Sequence, residues 1–116
     1  MPLLSIETNV SFDEEDNAAP GVLASLSQAV AAMLGKPEQY VMVNLKTGQD
    51  LFFAGSGAPA AYVQLKSLGL PEDKTADYSH TLCELINREL GIPADRIYIE
   101  FSSPARHMWG WNNTTF

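Results

Sequence analysis

The opening stretch MPLLSIETNV (1–10) places a proline directly behind the initiator methionine. Such a proline is either a plain strand start or a latent catalyst. While Met1 is attached, the Pro2 nitrogen is an amide and cannot act as a base. If Met1 is removed, the exposed group is a secondary amine on a rigid ring. Ordinary α-amino groups titrate at about 8, and a free prolyl amine starts higher than a base useful at neutral pH. Burial in an apolar pocket disfavours the protonated form and brings the nitrogen toward that range. The rigid ring aims it with little loss of entropy. Other reactive groups are scarce. Cys83 is the single cysteine, which excludes an intrachain disulfide and a Cys-based zinc site. It stands in TLCELI (81–86), inside an apolar helical pattern, and reads as a small buried hydrophobe rather than a nucleophile. No metal or other cofactor is expected.

The bulk numbers narrow the classes. A chain of 116 residues fits one domain, here taken as 1–116. Hydrophobic residues make up 46% and charged residues 18%, which suits a globular protein and not a disordered one. The net charge is −7 with only seven Lys and Arg, so no nucleic-acid partner is expected. Asp13, Glu14, Glu15 and Asp16 form an acidic run that reads as a solvated loop or the first turn of a helix. The N-terminus lacks a basic stretch followed by an apolar one, so no secretory signal is expected. No apolar run approaches the roughly 18 residues of a membrane span. The lone thiol and the missing leader suggest a reducing, cytoplasmic compartment. Asn112/Thr114 and Asn113/Thr115 fit the glycosylation pattern, but without an export signal no use of it is expected.

The elements that would position Pro2 come from a repeat. LGKPEQYVMV (34–43) and LGIPADRIYI (90–99) share Leu, Gly and Pro at the same places, each followed by a β-rich run. A helical pattern precedes each copy: Val22, Leu26, Val30 and Met33 in the first, Tyr78, Leu82, Leu85, Ile86 and Leu90 in the second. Gly35 and Gly91 sit where a helix stops on a left-handed residue, and Pro37 and Pro93 prevent continuation. Strand-like runs stand ahead of the helices, at 3–10 and 60–68. A run near 50–53 reads as an extra edge strand, and 106–116 as one or two short strands. Each half, about 2–57 and 58–116, thus reads strand–helix–strand, and the crossover makes its two strands parallel. The predicted fold is α/β (α+β): two βαβ repeats forming a four-stranded mixed sheet with both helices on one face. Ile97, Ile99 and Phe101 alternate with Tyr98, Glu100 and Ser102, and Val41, Val43 and Leu45 with Tyr40, Met42, Asn44 and Lys46. The face carrying Tyr98 and Met42 has no cover in so short a chain, which predicts a homo-oligomer.

The order of several motifs resembles the macrophage migration inhibitory factor family of the tautomerase superfamily. They are the Met–Pro start, TNV at 8–10, GKP at 35–37 with Tyr40 close behind, SLG at 67–69, RIYI at 96–99 and GWNNTTF at 110–116. The resemblance spans nearly the whole chain. It implies a homotrimer of βαβ repeats with active sites at the subunit boundaries, and an N-terminal proline freed of its methionine as the base. Lys36 then lowers the pKa of that base further and binds a substrate carboxylate, while the Leu68 N–H holds the same carboxylate. A plain alternative for Lys36, compatible with this, is compensation of the helix dipole. Tyr98 would reach a neighbouring subunit's pocket or else only pack in the sheet. Tyr40, Trp109, Trp111 and Phe116 would build an aromatic wall for a phenyl ring, or pack an interface.

The chain departs from the better-known animal members. Their CxxC is replaced by Ala60-Ala61-Tyr62-Val63, so thiol–disulfide chemistry is not implied. Glu100 stands where an asparagine is usual; a carboxylate there would repel an acidic substrate or raise the proline pKa. Trp109 replaces a smaller residue at the rim. The activity implied is keto–enol tautomerisation of phenylpyruvate-like or dopachrome-like substrates. The alternative is a cytokine-like or intracellular protein-binding signalling role with vestigial catalysis. That alternative brings a protein receptor as a further partner and secretion without a signal peptide.

Overall fold

The computed structural model describes residues 1–12 and 18–116. The acidic run at 13–16 lies outside the described residues. Strand β1 (Leu3–Thr8) leads through helix α1 (Ala19–Leu34) to β2 (Met42–Lys46). Strand β3 (Ala61–Lys66) leads through α2 (Thr75–Leu90) to β4 (Ile97–Ser102). Two short strands, β5 (Gly110–Trp111) and β6 (Thr114–Thr115), close the chain.

The sheet order is β2-β1-β3-β4. β1 runs parallel to β2, β3 runs parallel to β4, and β1 meets β3 antiparallel, with Leu4 opposite Leu65 and Ile6 opposite Val63. The two βαβ halves are therefore joined through their first strands, and the sheet is mixed. Leu4, Ile6, Val63 and Leu65 are fully buried. Val22, Leu26 and Val30 of α1 enter the same core as Tyr78, Leu82, Leu85, Ile86 and Leu90 of α2. Each fully buried aliphatic side chain contributes about 1.5–3 kcal/mol, so this single layer contact carries the fold. Both helices end on a left-handed glycine, Gly35 at φ 63° and Gly91 at φ 71°.

Two sequence expectations change. The run near 50–53 is not a strand. Ala54 and Gly55 both take positive φ, 53° and 71°, and reverse the chain at once. Only Phe53 and Ser56 then pair, exchanging two 3.0 Å backbone hydrogen bonds. The apolar Leu51-Phe52-Phe53 suggested a strand, but a turn of this hand ends it before a ladder forms. The inner strands, β1 and β3, are also shorter than their apolar runs at 3–10 and 60–68. β1 stops at Thr8, whose Oγ1 donates to the Ala60 carbonyl at 2.6 Å and accepts from the Val10 N–H. Asn9 then turns outward: its Nδ2 donates to the carbonyls of Leu51, Gly57 and Ala58, and its Oδ1 accepts from Ala60 N–H. Arg96 clasps the same loop from the other side, donating to the carbonyls of Ser56, Ala58 and Pro59. The tail holds the two short strands expected of it, paired as a small hairpin turned by Asn112 and Asn113, both at positive φ, and preceded by a 3₁₀ turn at Arg106–Met108.

Candidate active site

The chain start lies between two adjoining clefts. A cleft of about 410 Å³ is lined by Met1, Lys36, Pro37, Tyr40, Leu68, Gly69, Arg106 and Phe116. A smaller one of about 220 Å³ is lined by Met1, Pro2, Leu3, Gln39, Tyr40, Val41, Met42, Trp109, Gly110 and Trp111. Met1 and Tyr40 belong to both. Pro2 itself is fully buried, and its carbonyl accepts from the Met42 N–H at 2.9 Å, which docks the start of β1 against β2. Among the described residues, neither cleft is lined by an Asp or Glu side chain.

Each lining residue has a structural cause. Lys36 is carried out by the left-handed stop at Gly35, where its own N–H still bonds to the Ala31 carbonyl at 3.0 Å. It makes no ion pair among the described residues, unlike Lys46, which lies 3.9 Å from Glu7. Tyr40 closes the 3₁₀ turn that Pro37 starts. Leu68 lies just past β3, beyond the last ladder bond, Ser67 N–H to the Ser102 carbonyl at 3.1 Å. Its own N–H has no protein acceptor among the described residues. Trp111 meets Tyr40 edge to face at 5.9 Å and stacks with Phe116 at 5.9 Å, so three of the predicted aromatics form one continuous wall. Trp109 lines the smaller cleft, and its carbonyl accepts from the Phe116 N–H at 3.2 Å. The free amine, here that of Met1, is pushed below its ordinary value first by burial and then by the charge of Lys36.

Such an arrangement brings together a terminal amine of lowered basicity, an unpaired cation, a free N–H donor and an aromatic wall. The family model for macrophage migration inhibitory factor matches residues 1–116 of the chain. The protein belongs to the macrophage migration inhibitory factor family. It is 39% identical to the macrophage migration inhibitory factor homolog of Trichuris trichiura, with both chains covered in full. Among solved structures, the homologue from Prochlorococcus marinus matches with a TM-score of 0.89 and 42% identity, covering 98% of each chain. The macrophage migration inhibitory factor of Trichinella spiralis matches with a TM-score of 0.89 and 37% identity, covering 98% of this chain and 99% of that one.

Within one chain of this family member, two of the predicted residues stand apart from the clefts. Tyr98 and Glu100 lie on β4, at the far edge of the sheet from β2. Both point to the open face: Tyr98 is 67% exposed with its ring 4.9 Å from that of Phe53, and Glu100 accepts from Gln64 Nε2 at 3.2 Å. Arg106, by contrast, lines the larger cleft and was missed. It lies in a loop without periodicity. The usable signal was scarcity: with seven basic residues in all, a cation a few positions ahead of GWNNTTF was worth placing. Cys83 is half-buried at the core edge, and burial pushes its thiol up, against a hydrogen bond from Ser79 that opposes the shift. Among the described residues, no His/Cys/Asp/Glu group could hold a metal, and no helix is long and apolar enough to cross a membrane.

Proposed function

We propose that the protein is a keto–enol tautomerase for aryl α-keto acids such as phenylpyruvate, with dopachrome-like compounds as related substrates. The observation that carries this is the meeting of Lys36, the Leu68 N–H and the aromatic wall around the residue that covers Pro2. Removal of Met1 would free the Pro2 amine and join the two clefts above it. The burial and Lys36 charge that depress the Met1 amine would then act on the prolyl amine. Lys36 and the Leu68 N–H would take the carboxylate, and Tyr40, Trp111 and Phe116 the ring, with Trp109 at the rim. Pro2 would remove a proton from the carbon beside the carbonyl. The C–H electron pair becomes the C=C bond and the carbonyl oxygen gains a proton as the enol; the reverse sequence restores the ketone.

The open sheet face supports a homotrimer. Met42 and Tyr98 on that face are both more than half exposed, at 66% and 67%. A partner covering them would bring the partner subunit's Tyr98 and Glu100 toward the cleft. Light scattering at micromolar concentration should give three copies; a monomer would defeat this part. The catalytic part is tested by the ultraviolet absorbance of the phenylpyruvate enol, with mass spectrometry of the N-terminus on the same sample. Pro2→Gly should lower kcat by about 10²-fold or more. Equal rates for the two proteins would remove the proposed base.

The same exposed apolar side chains favour a second reading, a protein-binding, cytokine-like role. A specific partner retained by Pro2→Gly, with no tautomerase activity in the wild type, would establish it. In either reading the single thiol suits a reducing cytoplasm.

A further inference from the structure

We infer that the larger cleft is built for substrates with two acidic groups, an aryl α-keto acid bearing a second carboxylate on its ring, and that Arg106 selects them. The inference rests on the tautomerase reading for the keto acid end alone. Lys36 and Arg106 are two of only seven basic residues, and both line one cleft of about 410 Å³ that, among the described residues, has no Asp or Glu side chain on its walls. In a chain of net charge −7 this is a local reversal of sign, which draws anions toward the cleft.

The two cations also stand in different parts of the cleft wall. Lys36 belongs to the turn after α1, near the Leu68 N–H, where a keto acid carboxylate would bind. Arg106 belongs to the tail, with Phe116, on the side of the aromatic wall where the ring would lie. Its Nε donates to the Phe116 carbonyl at 3.2 Å, which anchors the guanidinium at one edge. Its side chain makes no other hydrogen bond or ion pair among the described residues; its carbonyl accepts from the Trp109 N–H at 3.3 Å, closing the 3₁₀ turn. Its two terminal nitrogens thus offer the planar fork that carboxylates accept in pairs. A monoacid such as phenylpyruvate would leave that fork unused.

Calorimetry on the full chain, with phenylpyruvate and 4-carboxyphenylpyruvate as probes, tests this without depending on turnover. The wild type should bind the diacid about tenfold or more tightly, as expected for a charge-assisted pair near the surface. Arg106→Gln should bring the two dissociation constants together, and Arg106→Lys should keep part of the difference. The preference should shrink as salt rises. A wild type that binds both probes equally overturns the inference. So does Arg106→Gln weakening both probes alike, which would make Arg106 a tether for the tail and nothing more. Turnover measured in parallel keeps the two proposals apart. A binding preference without catalysis upholds the role of Arg106 and removes the Pro2 base. Catalysis without the preference does the reverse.

Discussion

After α1 the chain runs Leu34-Gly35-Lys36-Pro37, and after α2 it runs Leu90-Gly91-Ile92-Pro93. Both glycines are left-handed, and both prolines open a 3₁₀ turn that feeds a parallel strand. Between them the halves diverge. Lys36 is exposed at the cleft, whereas Ile92 is fully buried in the core. The second turn is also tied differently, with a side chain taking part. Gly91 N–H bonds to the Asn87 carbonyl at 2.8 Å, and Asn87 Nδ2 reaches forward to the Ile92 carbonyl at 3.0 Å. In the first half the comparable place in the helix is Ala31, which has no side chain to reach forward. The same backbone stop thus sets a side chain at a cleft in one half and in the core in the other. The residue after the glycine decides which.

Exchanging the two residues tests that statement. Ile92→Lys should have the largest effect, because it places an ammonium where no polar partner exists; a loss of about 4 kcal/mol or more is expected in urea unfolding at fixed protein concentration. A change under 1 kcal/mol would mean that the second turn can open to solvent as the first does. Lys36→Ile should act in the opposite way. Stability should move by no more than about 0.5 kcal/mol, while kcat/KM for phenylpyruvate falls about tenfold, mainly through KM. Unaltered kinetics would leave Lys36 as dipole compensation only. The smallest effects probe what the halves share. Gly35→Ala and Gly91→Ala meet no atom within 4 Å, so each should cost only the left-handed strain of about 1–2 kcal/mol. Unequal costs would show that the two stops are not the same device.

The repeat made most of this fold legible before any coordinates. Helix spacing, the Gly–Pro stops and strand alternation depend on neighbours within a few residues, and those signals survive in a single sequence. The failures share another cause. At 50–53 an apolar run was overruled by the turn at Ala54-Gly55, one position beyond it. Arg106 carries no periodic signal, and it joins Lys36 only because the tail folds back against the turn after α1. TNV was legible as a motif but not as a device. Its Asn9 is a clasp for the 51–60 loop, with partners some 42 to 51 positions away. Of the site residues, Lys36, Leu68, Tyr40 and Phe116 gather in one cleft, with Pro2, Trp109 and Trp111 beside it. Tyr98 and Glu100 face away from it in a single chain, because β4 lies two strands from β1.

The sheet order leaves β2 and β4 as outer strands, each with one row of backbone donors and acceptors that no strand of the same chain consumes. Copies that meet edge to edge either return to the first copy or continue without end. If the proposed homotrimer forms through these edges, strand twist comes under a constraint that has nothing to do with catalysis: it would have to bend the row into a ring before it became a filament.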